Sequence, residues 1–194
     1  MGGGPAMATE NATPLLSYDD YMALPEGRHE LIDGVLLDMT SPSHRHQWIQ
    51  ALLLTAFVSH ARQQRLGMAY ANFDVVLRQT PTALICQPDL VFVSRERAGI
   101  LTAPNIQGVP DLIVEILSPT NARHDSVRKR RIYEEHGVRE YWMVLSESDQ
   151  LEVLRLDETG RFGHPVLFEA GDTLTTPLLP GLSIDVAELF EPDL

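Results

Sequence analysis

Two short segments of this chain, LICQPDLVFV (84–93) and DLIVEIL (111–117), are short, apolar and rich in Val and Ile. A strand that meets water on one face alternates apolar with polar residues. A strand that is apolar on both faces must be covered on both sides. Such segments are central sheet strands, and they predict an α/β fold with a mixed central sheet flanked by helices. The loop between them is punctuated by Gly99, Pro104, Asn105, Gly108 and Pro110. With 194 residues, 44% of them hydrophobic, the chain can bury a core of that kind.

The flanking pattern agrees. Residues 1–14 hold few large apolar groups and read as a mobile tail, leaving 15–194 as a single domain without linker or repeat. Ser17 suits the cap of a helix running to Leu24, with Asp19 and Asp20 in its first turn. Asp33-Gly34 marks a hairpin between strands at about 28–32 and 35–39. Ser43 caps a long helix to about Leu66, terminated by Gly67, with Ile49, Leu52, Leu53, Ala56 and Phe57 as its core stripe. A strand over 69–77 precedes the two apolar segments. A second helix fits 124–136, ended by Gly137. Strands at 141–145, 151–156 and 165–168 complete a strand-rich C-terminal extension, which Gly171-Asp172 and Pro180-Gly181 punctuate.

Charge limits the partners. Acids number 27 against 15 Lys and Arg, for a formal net charge of −12. Such a body repels phosphate backbones, so any nucleic-acid site must be a local basic patch. The single cysteine, Cys86, excludes an intrachain disulfide and a cysteine-built zinc site, and it suits a reducing cytoplasm. No apolar run is long enough to cross a bilayer, and no basic-then-apolar leader opens the chain.

Chemistry concentrates on three stretches. In 110–119, Asp111, Ile113, Glu115 and Leu117 share one face of a strand, so Glu115 is an acid in the middle of an apolar element. A buried carboxylate needs a partner, either an arginine or a bound cation. In QPDLVFV (87–93), Asp89 stands at the strand's start, where Pro-Asp alone is ordinary turn chemistry. Two adjacent strands with one acid each can, however, place two carboxylates on one hard divalent ion, which activates water and neutralises phosphate charge. Asp111 competes with Asp89 for that role, and Asp89 is preferred. The helix after Glu115 sets Asp125, Lys129 and Tyr133 along one face, amid Arg123, Arg128, Arg130 and Arg131. This basic run is either a solvated face or a phosphate-contacting helix. Lys129 is the chain's only lysine, a compact point charge suited to a developing anion. His44 and His46 begin the long helix but do not share a face, and His46 is the one expected to look into the pocket.

Taken together, ELIDG (30–34), SPSHRHQ (41–47), QPDLVFV (87–93), PDLIVEILSP (110–119), the D-x3-K-x3-Y-x3-GV-x-EYW series (125–142) and LPGL (179–182) resemble the Uma2 (DUF820) family of PD-(D/E)xK restriction-endonuclease-like proteins. The likeness runs from about Ser17 to Leu182. It implies a metal-dependent phosphodiesterase in which Asp89 and Glu115 hold Mg²⁺ or Mn²⁺, with the main-chain carbonyl of Ile116 as a further ligand. The superfamily's lysine falls two residues after the second acid. Leu117 occupies that position here, so the resemblance transfers the role to Lys129. Glu30 matches an upstream glutamate that completes the site. Arg123, Arg128 and Arg130 would contact nucleic-acid phosphates. The implied substrate is DNA, and a two-fold homodimer would suit double-strand cutting. The rivals are a non-catalytic module of the same fold and a metal hydrolase of small phosphoesters.

Overall fold

The computed structural model describes residues 14–25, 27–117 and 122–191, and within 122–125 the main chain only. Helix α1 (Tyr18–Met22) begins at Ser17 with a reciprocal capping box to Asp20 and stops before Leu24. The hairpin forms as expected from strands β1 (His29–Ile32) and β2 (Val35–Asp38), turning at Asp33 and Gly34, both at positive φ. Helix α2 (His44–Gln64) follows its Ser43 cap.

The end of α2 differs from expectation. Arg65, not Gly67, adopts the left-handed conformation that stops the helix. Gly67 instead opens strand β3 (Gly67–Ala71). A Cβ there would run into the Val93 carbonyl oxygen and the Phe92 ring, so glycine is what allows the close strand approach.

The segments read as continuous strands at 69–77 and 84–93 each break in two. The first divides into β3 and β4 (Val75–Arg78), the second into β5 (Leu84–Cys86) and β6 (Leu90–Ser94). In both cases the halves join different sheets. After a 3₁₀ turn at Arg95–Ile100 come β7 (Ile106–Gln107), β8 (Leu112–Leu117), helix α3 (Ala122–His136), β9 (Glu140–Leu145), β10 (Gln150–Arg155), β11 (Val166–Phe168), β12 (Thr173–Leu174), β13 (Ile184–Asp185) and a short helix α4 (Val186–Phe190).

One sheet has the order β2-β1-β5-β4-β7. The larger has the order β11-β10-β9-β8-β6-β3, and β12 pairs with β13. Both large sheets are mixed: β8 runs parallel to β9 through the α3 crossover, and β4 runs parallel to β7, while the other pairs are antiparallel. The fold is therefore α/β, with a helix-hairpin at its N-terminal side and strands at its C-terminal side.

The six-stranded sheet is covered on both faces, as its apolar central strands require. On one face Ile49, Leu53, Phe57 and Ala61 of α2 pack on Leu90, Phe92, Leu112, Val114 and Trp142. Phe57 meets Trp142 edge to face at 5.3 Å. On the other face Ile132 and Tyr133 of α3 pack on Val91, Ile113 and Tyr141. Among the described residues no helix is long and apolar enough to cross a membrane.

Candidate metal and phosphate site

The two strand breaks lie side by side. The Asn72 N–H, between β3 and β4, donates to the carbonyl of Asp89, between β5 and β6. Pro88 ends the ladder of one sheet, and Asp89 begins the turn into the other. The β6–β8 register pairs Leu90 with Val114 and Val91 with Ile113, so one step further sets Asp89 opposite Glu115. Directly opposed like charges repel, so this arrangement demands compensation.

Compensation comes from α3. Lys129 Nζ lies 2.9 Å from Glu115 Oε1 and 2.9 Å from Glu30 Oε1. The Tyr133 hydroxyl, one helical turn on, donates to the same Glu115 oxygen at 2.6 Å. Glu30, from β1 of the other sheet, also accepts the Gln87 N–H at 3.0 Å. Glu30, Asp89, Glu115 and Lys129 are each no more than 4% exposed. Their charges act through protein rather than through water.

Asp89 is held from three sides. Its Oδ2 accepts the Ile116 N–H at 2.7 Å and lies 3.1 Å from His46 Nε2. Its Oδ1 lies 3.7 Å from Arg28 Nη2. Its main-chain carbonyl accepts from the Gln50 side chain at 2.8 Å. The other ring nitrogen of His46, Nδ1, is buried without a hydrogen-bond partner among the described residues.

Three buried carboxylates face one buried ammonium, with Arg28 at the rim. Burial pushes the Glu115 carboxyl up to about 8. Lys129 pulls it down, Asp89 and Glu30 push it further up, and the Tyr133 hydrogen bond opposes them. With Glu115 ionised, the three carboxylates carry one more charge than Lys129 and Arg28 neutralise among the described residues. Hard oxygen donors with surplus negative charge fit a divalent ion such as Mg²⁺, which takes one or two carboxylates and retains water. Among the described residues no three His, Cys, Asp or Glu side chains form a ready-made cage.

The remaining residues singled out from sequence fall elsewhere. Asp111 is fully buried but caps the Ser94 N–H at 2.8 Å and pairs with Arg139 at 3.1 Å, a structural task at the other end of β8. His44 is exposed. Arg128 is exposed and Arg130 half-buried, on either side of the inward-facing Lys129. The Arg123 side chain lies outside the described residues.

Gln50, Gln87 and Arg28 were not singled out, yet they build the pocket wall. The Arg28 guanidinium donates to the Gln87 side chain at 3.2 Å, which in turn donates to Asp74 at 3.0 Å. Tyr21 donates to the other Asp74 oxygen at 3.1 Å. Burial raises the Asp74 carboxyl above its ordinary range. Only Gln50 carried a sequence signal: it stands four residues after His46, on the same helix face.

Comparison with known proteins supplies a context. Residues 18–187 match the model of the Uma2 family, described as "Putative restriction endonuclease". An uncharacterized protein of Synechocystis sp. is 26% identical over 187 residues, covering 91% of this chain and 92% of its own length. The crystal structure of a "putative nuclease belonging to DUF820" from Anabaena variabilis superposes with a TM-score of 0.76 at 20% identity, covering 90% of this chain and 97% of that one.

Proposed function

Because the chain belongs to the Uma2 family of restriction-endonuclease-like proteins, we propose that it is a Mg²⁺- or Mn²⁺-dependent endonuclease that hydrolyses DNA phosphodiester bonds. The observation that supports this most is the buried group of Glu30, Asp89 and Glu115 around Lys129. Asp89, Glu115 and the main-chain carbonyl of Ile116 are the proposed metal ligands. When bound, the ion would supply Lewis-acid neutralisation of phosphate charge and lower the pKa of water.

The protein's own groups do the positioning. The Ile116 N–H and His46 orient Asp89. Tyr133 orients Glu115. Lys129 is the fixed positive charge nearest the acids. In this role it orients the attacking water or stabilises the pentavalent phosphorane anion, a contribution of about 10²–10³ in rate for one such group. Glu30 holds Lys129 at the site through its 2.9 Å contact. Arg128 and Arg130, with Arg123, steer the phosphate backbone towards the acids. A two-fold dimer would carry two such sites, one for each strand. A reducing cytoplasm suits the single buried Cys86.

Isothermal titration with Mn²⁺ or Mg²⁺ should register one site that Asp89→Ala abolishes. The full chain should nick supercoiled plasmid, and Lys129→Ala should reduce the rate at least 10²-fold. Absence of metal binding would replace this proposal with a non-catalytic module. Cleavage of a small phosphodiester without plasmid nicking would assign a different hydrolase.

A further inference from the structure

Arginines on this acidic protein are mostly paired: Arg78 with Asp33, Arg131 with Glu135, Arg161 with Glu134. With 27 acids against 15 basic residues, an exposed arginine that forms no ion pair stands out. Arg62, Arg65 and Arg95 are such cases. All three are exposed, and among the described residues none has a side-chain hydrogen bond or ion-pair partner.

These three do not scatter. They line one open groove of about 410 Å³, where the last turn of α2 meets the edge strand β3 and the end of β6. Its lining also includes the apolar Met68, Val93 and Leu101. The negative end of the α2 dipole accounts for Arg62 and Arg65 in part. It does not account for Arg95, which arrives from β6 and is fixed in place by its main-chain N–H on the Leu66 carbonyl at 2.8 Å.

The groove and the acid cluster occupy opposite ends of the same elements. Asp89 precedes β6 and Arg95 follows it, a separation of roughly 17–20 Å at ~3.3 Å per residue. Along α2, His46 and Arg62 stand roughly 24 Å apart at ~1.5 Å per residue. A separation of ~20 Å corresponds to about six base-pair steps of ~3.4 Å. Three planar guanidinium forks with free donors match phosphate oxygens, which accept them bidentately.

We propose that this groove grips a nucleic-acid phosphate backbone at a second point, remote from the acid cluster, so that the strand is anchored at both ends of β6. That the polyanion is nucleic acid rests on the nuclease assignment above. The anchoring also answers the charge problem, since it places unpaired positive charge where a strongly acidic body would otherwise repel DNA.

The test is fluorescence anisotropy of a labelled 24-base-pair duplex with the full chain in EDTA, across a salt series. Arg62→Ala/Arg65→Ala/Arg95→Ala should weaken binding about tenfold or more and lower the slope of log K against log salt by about 2–3. The matching triple lysine variant should keep most of that slope, which separates charge from any loss of fold. Arg78→Ala/Arg161→Ala, which removes two paired positive charges elsewhere, should leave the slope near wild type.

An unchanged slope in the alanine variant, or an equal loss in the control, overturns the proposal. So does a wild-type protein that fails to bind the duplex at low salt. Competition by poly-glutamate as strong as by DNA overturns it in favour of an acidic protein partner. Plasmid nicking, assayed separately with metal, distinguishes the two claims. Nicking with an unaltered slope removes the groove and leaves the nuclease. Groove-dependent binding without nicking does the reverse.

Discussion

Glu115 owes its unusual proton affinity to position rather than to identity. It lies mid-strand in β8, opposite Asp89, with Lys129 and Tyr133 opposing the effect of burial. Its carboxyl is pushed up to about 8, so to serve as the proposed metal ligand it must first lose a proton held well above the ordinary carboxylate range. Divalent-metal affinity should therefore rise from pH 6 towards pH 8 and level off above, and titrations at pH 6, 7, 8 and 9 check this. Glu115→Gln should remove the pH dependence along with most of the affinity. Removing Lys129 leaves two buried acids without their cation. Lys129→Met should lower stability by about 3–5 kcal/mol in urea unfolding, whereas Tyr133→Phe, which deletes one hydrogen bond to Glu115, should cost about 0.5–1.5 kcal/mol.

At the scale of elements, the breaks between β3 and β4 and between β5 and β6 bring residues from two sheets to one point. Were either segment a single straight strand, Glu30 on the five-stranded sheet would not reach Lys129 above the six-stranded one. The parallel β8–β9 pair matters equally, because its crossover is α3, which carries Lys129 back over the face from which Glu115 projects. Gly67 keeps β3 tight against β6, with no room for a Cβ before the Val93 carbonyl and the Phe92 ring. Gly67→Ala should cost about 1–3 kcal/mol in denaturant unfolding through overpacking.

For the whole molecule, stability should grade outward from the middle of the six-stranded sheet. β8 and β9 are buried almost throughout and flanked by other strands, with α2 on one face and α3 on the other. β11 is an edge strand with Val166 and Leu167 largely exposed. Native-state hydrogen exchange should show the β8 and β9 amides exchanging only with global unfolding, while β11 and the β12–β13 pair open earlier. Comparable protection of β11 and β8 would contradict this gradient. The acid cluster thus sits in the part of the fold that opens least, which suits a site that must hold like charges in place.

Local chemistry written into the sequence determined a good deal: the hairpin at Asp33-Gly34, the caps at Ser17 and Ser43, the apolar central strands and the helical spacing of Lys129 and Tyr133. Each depends on neighbours a few residues away, so each was legible without coordinates. The α/β class followed from the two-faced apolar strands for the same reason. Only the tertiary structure decided where Arg28, Gln50 and Gln87 point, that Asp111 serves a structural end of β8 rather than the acid cluster, and that Glu30 shares Lys129 with Glu115. It also broke two apparent strands at Asn72 and Pro88 and moved the helix stop from Gly67 to Arg65. Those outcomes arise from contacts between residues far apart in the chain, where hydrogen-bond geometry and close packing between sheets override the periodicity of any one segment.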